Sequence, residues 1–244
     1  MKLINKSILV TGSTSGVGLE LVKQLCSANT VFAVGRSSEK LASLKSQHPQ
    51  ITALQCDLSD IESVRNLADE ILSRQHIPDV ILFNAAIQHS HWFGNKILTP
   101  EKIVEEINVN LTSTCLLIHL LLPMLTSSGK EVRLVFINSA LAFAPKRSAA
   151  IYCATKSALM TLARSLNYQL GGTQIRVLQS YLPIIDTPMT EGRKCKKIPA
   201  NQAAAEILTG INKDRSEYAF GKARILRLIH RIAPSLAFRI TRLA

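Results

Sequence analysis

Over about its first 180 residues the chain alternates short β-branched apolar runs with segments of helical spacing, and few architectures accept that rhythm. Strands are expected at 7–10, 30–34, 51–55, 80–83, 132–137 and 175–179. Each is nearly continuous in apolar side chains, as a strand buried on both faces must be. Helices are expected between them at 16–28, 38–45, 60–74, 100–125 and 148–170. Strand, helix and strand in this order predict an α/β fold: a doubly wound, Rossmann-like parallel sheet with helices on both faces. At 244 residues, with 47% hydrophobic and 19% charged residues, the chain can bury one sizeable core. No internal repeat or low-complexity linker divides it, so residues 1–221 read as one domain and 222–244 as a helical extension.

The first strand runs directly into Thr11-Gly12-Ser13-Thr14-Ser15-Gly16-Val17-Gly18. Glycine permits a tight turn there and lets backbone N–H groups and a helix N-terminus approach a pyrophosphate. The residues from Gly12 to Gly18 are therefore candidates for dinucleotide binding, although the GxxxGxG spacing differs from GxGxxG. At the end of the second strand, Val34-Gly35-Arg36-Ser37-Ser38 holds no carboxylate for a ribose 2′-hydroxyl. Arg36 there can pair a 2′-phosphate, with Ser37 beside it, so NADP(H) is favoured over NAD(H). Asp57, after the third strand, is suited either to an adenine amino group or to capping the next helix.

Tyr152 and Lys156 lie four residues apart in a predicted helix, so phenol and ammonium leave one face one turn apart. A nearby cation favours phenolate and lowers a Tyr pKa of about 10. Hydride delivery to a ketone makes an alkoxide that must be stabilised and protonated, and a Ser hydroxyl with a phenol can do both. Ser139 precedes Tyr152 by 13 residues, and Asn110 lies on an earlier helix.

Together these motifs resemble the classical short-chain dehydrogenase/reductase family over about residues 4–190: TGxxxGxG, Asp57, Asn110 in Asn-Val-Asn-Leu-Thr, Ser139 and YxxxK. The resemblance implies Tyr152 as acid/base, Lys156 as its pKa-lowering neighbour and ribose ligand, Ser139 as partner of the substrate carbonyl, and Asn110 as anchor of a proton relay. It also implies cofactor contacts from Leu58 beside Asp57, from Asn84, Ala85 and Ala86 after the fourth strand, and from Pro183, Ile185 and Thr187 after the sixth. The expected activity is NADP(H)-dependent interconversion of a ketone and a secondary alcohol, with a partly apolar substrate. A non-catalytic NADP-binding sensor or scaffold of the same fold is the alternative.

Three departures bear on that expectation. The family's NNAG is Phe83-Asn84-Ala85-Ala86, and its Pro-Gly is Pro183-Ile184, where a β-branched residue resists positive φ and predicts a different loop path. The closing strand is hard to find, with 217–221 the candidate. His89 and His91 have no third ligand nearby, so no metal is expected. Trp92 and Phe93 are expected at the substrate pocket.

Five scattered cysteines without a CxxC pair suggest neither a disulfide framework nor zinc, and residues 1–10 lack an apolar leader, so a cytoplasmic location is expected. The apolar stretch 116–125 reads as a buried helix too short to span a bilayer. Around Leu116, Leu117, Leu120 and Leu121 it reads as core, or as the interface of the homodimer or homotetramer usual in the family. The net charge is +12, yet Arg193 onward carries 12 basic residues against 3 acidic ones. In 222–242 an apolar stripe of Ile225, Ile229, Ile232, Leu236 and Ile240 faces away from Arg224, Arg227, Arg231, Arg239 and Arg242. Such a basic amphipathic helix, kinked at Pro234, either covers the substrate cleft or makes peripheral membrane contact. With few aromatics and no nucleic-acid motif, no nucleic-acid partner is expected.

Overall fold

The computed structural model describes residues 1–74 and 77–242. Its centre is a seven-stranded parallel sheet in the order β3-β2-β1-β4-β5-β6-β9. The strands are β1 (Ser7–Thr11), β2 (Thr30–Gly35), β3 (Thr52–Gln55), β4 (Val80–Phe83), β5 (Val132–Ser139), β6 (Ile175–Leu182) and β9 (Glu217–Ala219). The order reverses between β1 and β4, which opens a crevice at their C-terminal ends. β5 and β6 outrun their expected ends and carry Ser139 and Tyr181 to that edge of the sheet. The remaining pair, β7 (Ile185–Asp186) and β8 (Ile198–Pro199), forms a short parallel ladder of its own.

On one face lie α3 (Ile61–Ser73), α4 (Pro100–Ile107), α5 (Ser113–Ser127) and α6 (Ala150–Gln169), which bury Leu67, Leu117, Leu121 and Leu159 against the sheet. On the other lie α1 (Gly16–Leu25), α2 (Ser38–Gln47) and α7 (Ala200–Asn212), with Leu21, Val22, Ala204 and Ile207 in a second core. Local chemistry sets the starts: Ser37 accepts from the Lys40 amide, Asp60 from Glu62, and Thr99 from Lys102 ahead of Pro100. Asp60 rather than Asp57 thus caps α3, which leaves Asp57 to the loop.

The single helix expected over 100–125 is interrupted. Asn108–Thr112 form a π turn between α4 and α5, so one added residue turns Asn110 inward while the apolar rows on either side stay buried. The span Pro100–Ser127 is by length and composition apolar enough to cross a membrane, longer than the stretch 116–125 suggested, but Leu117, Ile118, Leu121 and Leu125 are core. Leu116 and Leu120 are half-buried. Beyond β9 the extension folds as α8 (Gly221–Ile232) and α9 (Pro234–Arg242), broken at Pro234 as expected; residues 243 and 244 lie outside the described residues.

Candidate active site

The C-terminal ends of β1 and β4 are locked to each other. The Thr11 hydroxyl donates to the Leu82 carbonyl at 3.3 Å and accepts from the amides of Asn84 and Ala85 at 3.0 and 3.1 Å. The Asn84 side chain donates back to the carbonyls of Thr11 and Gly12 at 2.9 and 3.3 Å. This close approach requires glycine twice. A Cβ on Gly12, where φ is +68°, would meet Ala85 Cα at 2.8 Å, and one on Gly18 would lie 2.0 Å from the Gly12 carbonyl oxygen.

Within the turn the residues divide. Ser13 is fully buried, and its hydroxyl and amide both donate to the Val34 carbonyl, so it ties the turn to β2. Val17 is core, and Thr14 packs against Gly35. Ser15, the N-cap of α1, is exposed and its side chain caps nothing, so the first amides of α1 have no side-chain acceptor there. A turn that needs glycine, ending in uncapped helix amides, fits a pyrophosphate.

Around it stand the other expected cofactor residues. Arg36 is 68% exposed and its guanidinium lies 3.4 Å from the Glu105 carboxylate. Asp57 accepts from the amide and hydroxyl of Ser59 at 2.9 and 2.7 Å. Burial opposes ionisation there, yet these bonds and the Arg36 charge hold its carboxyl below the ordinary value. Leu58 packs on the core. Phe83, standing where the family has Asn, is buried against Phe136 at 5.2 Å between ring centroids.

Neither Ala86 nor Ile184 has a positive φ, so both replacements of glycine sit in ordinary backbone. Past Pro183 the chain runs into β7; Ile185 is core, and the Thr187 side chain lies against the start of α1 at Gly16. Thr190 fixes this loop by donating to the carbonyls of Ile185 and Thr187.

The catalytic candidates converge from three elements. Ser139 ends β5, Tyr152 and Lys156 lie one turn apart on α6, and Asn110 faces them from the π turn. Asn110 is buried; its amide donates to the Ile87 carbonyl at 2.9 Å and to Thr155 at 3.3 Å, and its carbonyl oxygen accepts from the Ile87 amide at 2.8 Å. The Thr155 hydroxyl donates to the Tyr152 carbonyl at 2.9 Å, which couples Asn110 to the helix of the phenol.

Burial pushes the Tyr152 hydroxyl up to about 12, with the Ser139 hydroxyl beside it working the other way. The expected lowering by Lys156 is not found; the charge that lowers Tyr152 is that of Arg193. Lys156 is 3% exposed, its Nζ lies 5.6 Å from the Tyr152 ring centroid, and it donates to the Ile137 carbonyl at 3.0 Å. Burial brings its ammonium down to about 8.

Three contributors escape the sequence motifs. Asn138, buried within β5, donates to the Lys156 carbonyl at 3.2 Å and accepts from the Ser139 amide at 2.8 Å, so it fixes the backbone of both candidates. An Asn inside an otherwise apolar strand was the available signal. Glu106 is wholly buried; one oxygen accepts from the His89 amide at 3.1 Å while the other has no hydrogen-bond partner among the described residues. Arg193 reaches from the loop after β7 to Gln88 at 2.7 Å and helps lower Tyr152.

Of the other expectations, His89 pairs with Glu105 at 3.1 Å, and the described residues hold no group of three metal-ligating side chains. Trp92 is half exposed under the Arg147 guanidinium at 4.0 Å, and Phe93 is 65% exposed.

A model of the short chain dehydrogenase family matches residues 6–197, which include the glycine turn and all four catalytic candidates. The chain belongs to the short-chain dehydrogenase family. Among similar members, an uncharacterized oxidoreductase DltE of Bacillus subtilis (strain 168) is 32% identical over 93% of this chain and 92% of its own length. The 1-deoxy-11-beta-hydroxypentalenate dehydrogenase of Streptomyces exfoliatus is 29% identical over 88% and 82%. In fold, the short-chain dehydrogenase is similar to one from Burkholderia cenocepacia J2315 solved in complex with NADP, with a TM-score of 0.85, 22% identity and 97% of both chains covered.

Proposed function

We propose that this short-chain dehydrogenase is an NADP(H)-dependent oxidoreductase that reduces a ketone to a secondary alcohol, with Tyr152 as general acid. The observation that carries the reading is the convergence of Ser139, Tyr152 and Lys156 beside a turn fitted to a pyrophosphate. The bound nicotinamide nucleotide supplies the hydride.

The turn from Gly12 to Gly18 and the amides of α1 would hold the phosphates, while Asp57, Leu58 and the Asn84-Ala85-Ala86 segment would hold adenosine. The segment of Pro183, Ile185 and Thr187 would hold the nicotinamide end. Lys156 has three donors and gives one to Ile137, so two remain for the ribose. Ser139 and the Tyr152 hydroxyl both donate to the substrate oxygen, and Tyr152 then gives its proton to the forming alkoxide. A phenol raised to about 12 keeps that proton at neutral pH until the alkoxide forms. Asn138 and Asn110 act as positioning residues by fixing β5 and α6.

Arg36 supports NADPH, since the segment 34–38 that ends β2 contains no carboxylate of its own to bind a 2′-hydroxyl, although Arg36 also faces Glu105. Arg36→Asp should weaken NADPH far more than NADH in a fluorescence titration, and equal losses would remove the 2′-phosphate assignment. The exposed apolar side chains of Trp92 and Phe93, on the loop after β4, favour a partly apolar substrate. The half-buried Leu116 and Leu120 on α5 favour self-association through that helix. The primary test is a ketone panel with NADPH: oxidation of cofactor on some member is expected, and binding of NADPH without turnover across the panel would return the protein to a sensor or scaffold role.

A further inference from the structure

The C-terminal pair α8 and α9 is packed with its small residues inward. Ala223 and Ala237 are fully buried and Thr241 nearly so, its hydroxyl donating to the Ala237 carbonyl at 3.1 Å. His230 stacks between the helices and the body, 6.1 Å from Phe143 and 5.7 Å from Phe238 between ring centroids. Arg227 lies over Tyr181 and pairs with Glu217. The large apolar residues therefore face outward. Ile225, Leu228, Ile232, Leu236, Phe238 and Ile240 are each between 45% and 74% exposed; Ile225, Leu228 and Ile232 share one side of α8 and Leu236 and Ile240 one side of α9, while Phe238 turns toward His230. The stripe that the sequence placed opposite the arginines is the part that solvent meets, with Leu228 in the place of the half-buried Ile229.

Charge decides what covers this face. Lys222, Arg224, Arg231, Arg239 and Arg242 flank it, none is in an ion pair among the described residues, and from 218 to 242 there is no acidic residue. A second copy presenting the same face would oppose five unpaired cations to five others. A nucleic acid would use the cations and leave the isoleucines without a role. An anionic lipid surface uses both: the apolar face enters the acyl boundary while Lys and Arg stay among the headgroups.

We propose that α8 and α9 dock the protein on an anionic membrane surface, with Ile225, Leu228, Ile232 and Leu236 inserted and the flanking Lys and Arg bound to lipid headgroups. The inner side of α8 packs on the turn Ala140–Ala142 that follows Ser139, so the docked layer lies one helix away from the catalytic strand. The proposal stands independently of the reaction assigned above.

Flotation of the full chain with phosphatidylcholine vesicles, with and without phosphatidylglycerol, tests it. Co-flotation is expected only with phosphatidylglycerol and should fall as NaCl rises. Arg231→Gln with Arg239→Gln should weaken partition roughly thirtyfold. Ile232→Glu with Leu236→Glu should abolish it, with circular dichroism and melting temperature unchanged because both residues are exposed. Failure of the parent chain to float at low salt, or equal flotation on both vesicles, would overturn the proposal. So would a dimer in light scattering that the Ile232/Leu236 variant splits while the parent ignores lipid, since the face would then belong to a second copy.

Discussion

Two buried cations stand at opposite ends of the same strands. Arg133, at the start of β5, is 1% exposed; its guanidinium donates to Asp214 at 2.8 Å and to Glu131, and Asp214 also pairs with Arg176. Lys156, beside the end of β5, is equally hidden, yet among the described residues its ammonium donates one hydrogen bond, to the Ile137 carbonyl, and is in no ion pair. A buried charge without a counter-ion costs stability, and burial accordingly drags its ammonium down to about 8. The sheet thus neutralises its charge at one end and leaves an ammonium without a counter-ion at the end that carries the catalytic candidates.

The largest effect should fall on the chemistry. Tyr152→Phe keeps the ring and removes the proton, so steady-state reduction should drop about a hundred- to ten-thousandfold with NADPH affinity retained. Unchanged turnover would break the assignment of the acid.

Next, the two cations should separate stability from activity. Asp214→Asn keeps a residue that tolerates φ of 51° but leaves Arg133 short of a charge, and should cost about 3 kcal/mol in urea unfolding while the folded fraction turns over normally. Lys156→Met should do the reverse, leaving stability unchanged or raised by about 1–2 kcal/mol while activity collapses. If both variants lose stability alike, the contrast between the two ends is wrong.

A smaller effect concerns pH. kcat/KM for reduction should fall as pH rises through about 8, where Lys156 in the free protein gives up its proton. The stability contribution has the opposite sign. Lys156 holds its proton less tightly folded, at about 8 against an ordinary 10.5, so the unfolded chain binds more protons between those values and stability should rise with pH across that window. Lys156→Met should flatten that rise in unfolding curves taken across the window.

The sequence exposes what depends on local spacing. Tyr152 and Lys156 share a face because four residues make about one turn, and the glycine turn is legible because strand, turn and helix are contiguous. The sheet follows from six doubly buried strands. The π turn is hidden because one extra residue at Asn108–Thr112 leaves apolar residues on both sides in plausible helical rows. The pKa of Tyr152 is hidden for another reason: a nearby ammonium is visible in sequence, but the burial that raises it and the Arg193 charge that lowers it are properties of the whole fold. Arg193 joins two loops 105 positions apart, a contact no local pattern encodes. For the extension, periodicity identifies the apolar stripe; only the packing of Ala223, Ala237 and Thr241 shows that the stripe faces out.

Thr11 shows how volume and chemistry part company. Valine is nearly its shape and would fill its place in the crevice. Yet three backbone groups, from Leu82, Asn84 and Ala85, meet on that one hydroxyl. Thr11→Val would leave the Ala85 amide without its acceptor and the Asn84 amide with the Leu82 carbonyl alone, and the Asn84 side chain would then have to tie the segment after β4 to the glycine turn by itself. A residue that holds neither cofactor nor substrate thereby governs whether the two halves of the cradle behave as one rigid body.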